Sequence, residues 1–591
     1  MKTPTFHIIN TILILLLVGT AGNLHAQDRM DIDEIQVVAP YEPSISDAFK
    51  ININPTIDDT TRVQMDFDYQ IPPQKITTEF EPDPITPARM RGEPLPKLYR
   101  GHVKGGFGSY QTPYLEAFYN TLRSNEYALG VNLKHISANN EIEDTPHSLF
   151  SHNKANIYGT RFFDNTSLEA DILYDREVVH YYGFPFNNQQ EADKQDNGNN
   201  NLLPEADDIR QQYNFLSSRI GFGSTHADSA STRYHAGLEH HWLSDRYEGN
   251  EHHFNFSGEI GREFSADPFE IAKKQYFQLD LSADYYYYEF VGDTLNTGIY
   301  SVKPTFYADI DQLSFHAGVD FSVEDDNANY LLRTYPLAGL NMEIVPERLT
   351  AYMELSGGLE KQSWRTLSAE NPFVMPFPAT SFTNIRSEIS GGVKGNVGDK
   401  VSYHLSLTNS NIDNYPLFGK SGFPDAFNII DQDISAFQTS QFTVIYDDIR
   451  RLHFHAEVFS RFGKRFSMRL RGDFYDYTLD TQQKAWHKPD MLLTLNMSYN
   501  IQDKIILTAD LYGRGETYGM VISDIPIPPG TIRLEKVHDF YLDANVGIEY
   551  RYTKILSVFL DFYNVQNENY ARWLDYSSQG FSFMGGVSYS L

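Results

Sequence analysis

The residues best suited to chemistry are histidines and carboxylates. His240, His241, His252 and His253 flank one expected hairpin tip, 247–250. Imidazoles are common transition-metal ligands. The expected pairing sets His252 opposite Asp245 and His241 opposite Phe256, so the four rings do not converge and no metal is assigned. His453, His455 and Glu457 share one face of a single strand. Ligands two apart can chelate, but side chains facing a water-filled lumen have the same polarity. Glu324, Asp325, Asp326 and Asn327, like Asp431 and Asp433, lack the glycine and spacing of a calcium loop and read as surface charge. Gly105, Gly106, Phe107 and Gly108 lie on a strand, so they are no nucleotide fingerprint. There is no Gly-x-Ser-x-Gly elbow and no phosphate loop before a helix. Neither a catalytic constellation nor a cofactor is expected, and the chain is not read as an enzyme.

The elements that must carry these residues have a period of two. Phe540, Leu542, Ala544, Val546, Ile548, Tyr550 and Tyr552 alternate with Tyr541, Asp543, Asn545, Gly547, Glu549 and Arg551. Met491 to Tyr499, Phe466 to Phe474 and Phe277 to Tyr287 alternate likewise. A half-buried soluble sheet alternates too. Three features favour a membrane. The runs exceed the usual five or six residues and match the 9 to 11 of a tilted spanning strand. Aromatics gather at run ends, as at Tyr550 and Tyr552 or Tyr285 to Tyr288, where interfacial girdles belong. Short connections (346–348, 398–400, 463–465, 502–504, 553–554) alternate with long ones (183–209, 360–383, 411–448, 515–537). The pattern predicts an all-β transmembrane antiparallel β-barrel of about 22 strands over 98–591, with both termini in the periplasm. The segment 437–446 is a candidate for one further strand.

Composition agrees. Of 591 residues, 14% are aromatic and 41% hydrophobic, with a net charge of −30 and no cysteine. An acidic chain is a poor nucleic-acid partner. The lack of cysteine removes disulfide scaffolds, thiol catalysis and Cys-ligated zinc. Residues 1–26 read as a signal peptide: Lys2, an apolar core from Ile8 to Val18, and Ala26 before the cleavage point. Residues 27–97 carry ten prolines and read as an extended, proline-rich periplasmic tail.

Two segments resemble a known family. Asp561 to Tyr570, then Gly580-Phe581-Ser582-Phe583 and Gly586-Val587-Ser588-Tyr589-Ser590-Leu591, resemble the last two strands of TonB-dependent receptors. Gly586, Tyr589 and Leu591 match the marked positions of the outer-membrane barrel assembly signal. Asp33, Glu34, Ile35, Gln36, Val37 and Val38 are similar to the TonB box, an extended peptide suited to strand addition. The family places a plug of more than one hundred residues after the box; only 39–97 are available here, so the resemblance covers the barrel and the box but no plug. It implies a Gram-negative outer-membrane protein for transport or uptake, in contact with lipid, the barrel assembly machinery and a TonB-type transducer. The alternative is a non-transporting barrel subunit that docks a periplasmic or surface partner through its tail or loops. A lumen this wide must be filled by inward-folded external loops, by the tail or by a partner. Acidic lumen faces suggest a preference for cations.

Overall fold

The computed structural model describes residues 98–142, 145, 147–183, 205–225, 232–264, 274–290, 292–327, 329–422, 440–523 and 531–591. The expected signal peptide, proline-rich tail and TonB-box-like segment Asp33 to Val38 lie outside these residues, as do Asp431 and Asp433.

Alternating sequence becomes strand throughout. The first half forms β1 (Gly101–Gly108), β2 (Thr112–Asn120), β3 (Tyr127–Ala138), β4 (Phe150–Phe162), β5 (Thr166–His180), β6 (Arg210–Ser224), β7 (Arg233–Ser244), β8 (Asn250–Phe264), β9 (Lys274–Phe290), β10 (Asp293–Ile310) and β11 (Leu313–Asp326). The second half forms β12 (Asn329–Val345), β13 (Leu349–Gln362), helix α1 (Trp364–Glu370), β14 (Ser381–Val397), β15 (Val401–Gly422), β16 (Phe442–Phe462), β17 (Phe466–Leu479), β18 (Met491–Ile501) and β19 (Ile505–Arg514). It ends in β20 (Thr517–Ser523), β21 (Thr531–His538), β22 (Tyr541–Arg551), β23 (Leu556–Tyr563), β24 (Ala571–Trp573), β25 (Tyr576–Ser577) and β26 (Ser582–Ser590). Leaving out the hairpins β20–β21 and β24–β25, these strands make a closed antiparallel barrel of 22.

Closure joins β1 to β26, from His102 opposite Ser590 to Gly108 opposite Met584. Leu591 donates its N–H to the Gly101 carbonyl at 2.8 Å, and its own carbonyl accepts from Arg100 at 2.7 Å. A closed sheet leaves no unpaired edge in the bilayer. The outer face is apolar: Leu238, Met353 and Val587 are 63%, 58% and 54% exposed. The five short connections anticipated at 346–348, 398–400, 463–465, 502–504 and 553–554 join β12–β13, β14–β15, β16–β17, β18–β19 and β22–β23 at one end. Gly398 and Gly463 hold φ of 61° and 64° there, a conformation that favours glycine. By the usual sense of such barrels this end is periplasmic.

Two expectations need correction. The described ends of the segment 411–448 are strand rather than loop, because β15 and β16 run 22 and 21 residues, about twice a membrane crossing. Their register shifts between Ile412 and Tyr415, where Asn414 takes φ 55°, and the extensions rise beyond the bulge as the wall of the external mouth. Of the anticipated extra strand at 437–446, residues 442–446 are the start of β16, and 437–439 lie outside the described residues. Nor are Tyr285 to Tyr288 one girdle. Period two turns Tyr286 and Tyr288 inward, and Tyr288 is buried.

Candidate functional site: the roofed lumen

The apolar core lies at the external mouth. Fully buried Trp486, Tyr181, Phe418, Phe442, Ile209, Leu243, Leu367 and Val374 all belong there. Long connections fold inward to build it. Ser363 caps α1, its Oγ accepting from the Thr366 N–H at 3.2 Å. The next residues add to β16: Phe442 donates its N–H to Phe373 and accepts from Met375, at 3.0 and 2.8 Å.

The segment 363–380 crosses the mouth, since its partners lie on widely separated strands. Trp364 packs against Tyr213, Phe215, Leu243 and Tyr288 from β6, β7 and β9. Leu367 and Val374 pack with Phe418 and Phe442 of β15 and β16 and with Trp573, Leu574 and Tyr576 of the β24–β25 hairpin. Tyr181 donates to the Val374 carbonyl at 2.9 Å and Tyr213 to that of Pro372 at 3.1 Å. Buried Lys420 pairs with Asp575, and Lys488 with Glu370. Two glycines make room for the aromatics: a Cβ on Gly249 would strike the Trp364 indole, and one on Gly183 the Tyr576 ring. These connections form a roof, one of the three ways of filling the lumen that the sequence left open.

His487 pins the roof. Its Nδ1 lies 2.8 Å from the Phe418 carbonyl, and its Nε2 lies 3.4 Å from the Leu574 N–H. A neutral imidazole meets both, donating from Nδ1 and accepting at Nε2. Phe442 and Trp573 flank the ring at 5.1 and 5.2 Å. Burial drives its pKa down from 6.5 to about 3, and Arg514, Lys488 and Lys420 oppose a further positive charge. Burial pushes Asp245 the other way, to about 6, against bonds from Gly249, Gln211 and Tyr247.

Beneath the roof the wall is polar. A cavity of about 710 Å³ is lined by Lys104, Tyr114, Lys134, Glu177, Asp543 and Asp561, with Phe373 from the roof. Lys104 lies 3.5 Å from Asp561 and 3.9 Å from the centre of the Phe559 ring. Gly106 and Gly586 leave space for that ring at the seam, which gives Gly586 a packing reason. Tyr589 faces outward at 42% exposure, and Leu591 makes the closing bonds already described. The glycines at 105–108 line the same seam on β1.

The histidine hairpin departs from expectation. Asp245 accepts from the N–H groups of Tyr247 and Gly249 at 2.8 and 3.0 Å, which fixes a turn centred on Tyr247. Ser244 then pairs with Asn250, and His241 meets His253 rather than Phe256. The rings form two pairs on opposite faces. His240 and His252 lie outside at 3.2 Å; His241 and His253 lie inside, also at 3.2 Å. The inner pair extends to Glu251 (3.2 Å) and Asp284 (2.8 Å). Buried Glu251 also accepts the Arg365 N–H of α1 at 3.1 Å, tying this relay to the roof. On β16, His453 and His455 both reach Asp473 of β17, whereas Glu457 turns to Arg469 at 3.6 Å. Glu324 pairs with Arg333 at 2.6 Å, as a charged wall residue would.

Sequence reasoning missed Trp364, Phe442, Trp486, Trp573 and Tyr576 as a site. The available signal was tryptophan in long connections, where solvent-exposed loops rarely place it.

No protein-family model matches the chain, and no curated protein matches it by sequence. Solved structures share its fold. The pyoverdine outer membrane receptor FpvA from Pseudomonas aeruginosa PAO1 aligns at TM-score 0.60 and 11% identity, over 84% of this chain and 79% of its own. The siderophore receptor PirA from Acinetobacter baumannii aligns at 0.59 and 10%, over 84% and 81%. The FrpB iron transporter from Neisseria meningitidis aligns at 0.58 and 9%, over 84% and 82%. In fold, the chain is a closed 22-stranded antiparallel barrel like those of these receptors and this transporter, the architecture that the resemblance of its last two strands implies.

Proposed function

We propose that the protein takes up a polar solute across the outer membrane, with the roof as its gate and the tail as its handle. The roof carries this reading: side chains from several connections close the external mouth above a charged, aromatic-lined cavity. The fold is that of receptors and an iron transporter, which supports uptake as the class of work. In this reading Asp33 to Val38 add as a strand to a TonB-type transducer, and Gly586, Tyr589 and Leu591 direct assembly of the barrel.

The absence of cysteine permits a direct test. Leu367→Cys places one thiol in the closed roof, where Leu367 is fully buried. In energised cells an impermeant maleimide should label it, and labelling should fall when Asp33 to Val38 are deleted or a protonophore is added. Labelling that ignores both changes rejects energised gating.

A further inference from the structure

We propose that His453, His455 and Asp473 bind a divalent first-row transition-metal ion of the Zn²⁺ class on the lumen wall. The site is independent of the roof and of the uptake reading. Register brings it together. His453 and His455 lie two apart on β16 and so share the inner face. Asp473 on β17 lies opposite His455, and Tyr475 opposite His453.

The donor atoms converge. His453 Nε2 lies 3.0 Å and His455 Nδ1 2.8 Å from Asp473 Oδ1, and all three lie within 4.8 Å of one another. An ion bonded at about 2.0–2.1 Å in tetrahedral geometry needs donors about 3.3 Å apart. Each imidazole would move away from Asp473 Oδ1 by up to about half an ångström to reach that spacing, and the two imidazole nitrogens, within 4.8 Å of each other, would turn toward the same ion, leaving a fourth position for water or solute. Two imidazoles with one carboxylate suit zinc, nickel or copper(II) better than magnesium or calcium, which prefer all-oxygen sites.

The surroundings orient the donors. Asp473 is 3% exposed, and its second oxygen accepts from Arg471 Nε at 2.7 Å, which leaves Oδ1 to face the two imidazoles. Such outer partners fix ligand geometry; the guanidinium charge also keeps affinity moderate. His453 stacks on Tyr475 at 4.5 Å and 10°. His455 lies 5.1 Å from His404, ring to ring, and His404 is held by the Tyr352 hydroxyl at 2.7 Å. His404 and Glu457 line a cavity of about 420 Å³ on the periplasmic side, where an ion could approach. Along β16 the cluster lies between the roof contact at Phe442 and the periplasmic turn at Gly463.

The test uses the full chain, purified in detergent through a tag without histidine, with Zn²⁺ as the probe. Calorimetry against a competing chelator should find a Zn²⁺ site that Asp473→Asn and His455→Gln each weaken at least about tenfold. Co²⁺ loading should give a visible absorption band that both variants lose. His241→Gln, in the separate inner relay, should leave binding unchanged. Heat-modifiable gel migration verifies that each barrel is folded. The proposal is overturned if the wild-type chain binds no Zn²⁺, if folded Asp473→Asn and His455→Gln bind like wild type, or if only His241→Gln abolishes binding.

Discussion

Replacing Trp364 with alanine isolates the roof from the barrel. The indole is 3% exposed, packs against Tyr213, Phe215, Leu243 and Tyr288, and meets Phe377 at a ring distance of 5.6 Å. Deleting a buried aromatic of this kind costs about 3–5 kcal/mol. That loss falls on the segment 363–380, because the strands keep every ladder bond whether the roof is open or shut. Local and global opening are separate equilibria. At about 1.4 kcal/mol per decade, the open population should rise by about 10² to 10⁴. Hydrogen exchange with mass spectrometry reads this directly. Amides of 363–380 should exchange faster by that factor, while β17 stays protected and heat-modifiable migration is unchanged. Liposomes holding the variant should also swell faster in a small neutral sugar. Less than tenfold change in 363–380, in a folded barrel, would refute the claim that tryptophan packing holds the roof shut.

Gly249→Leu should open the roof as Trp364→Ala does, because its side chain needs the volume of the indole; the double variant should be less than additive, read by the same exchange. Acid should loosen the roof. His487 binds a proton less readily folded than unfolded, so its stabilisation is complete above about pH 6.5 and falls as pH drops toward 3; His487→Gln should flatten that fall in a tryptic-cleavage profile of the external loops. Asp575→Asn strands the Lys420 ammonium, which is 3% exposed, and should cost about 2–3 kcal/mol locally, seen as faster exchange in 571–577. The double change Lys420→Met with Asp575→Asn should recover most of that loss.

The sequence by itself determined the barrel. Period two fixes which side chain meets lipid and which meets the lumen, as with Phe540 to Tyr552. Turns such as Gly398-Asp399-Lys400 fix the register between neighbouring strands, because both are local properties of the chain. Those local rules failed where a turn was misread by a few residues. The slip set His241 opposite Phe256 and hid the relay to Glu251 and Asp284. Tertiary structure alone decided the site. Trp364, Trp573 and Tyr576 come from connections, and Phe442 from the start of β16, all far apart in the chain, and only closure of the sheet brings them over one opening. Asp473 likewise joined His453 and His455 only once β16 and β17 were in register, since a single strand carries no record of its partner's side chains.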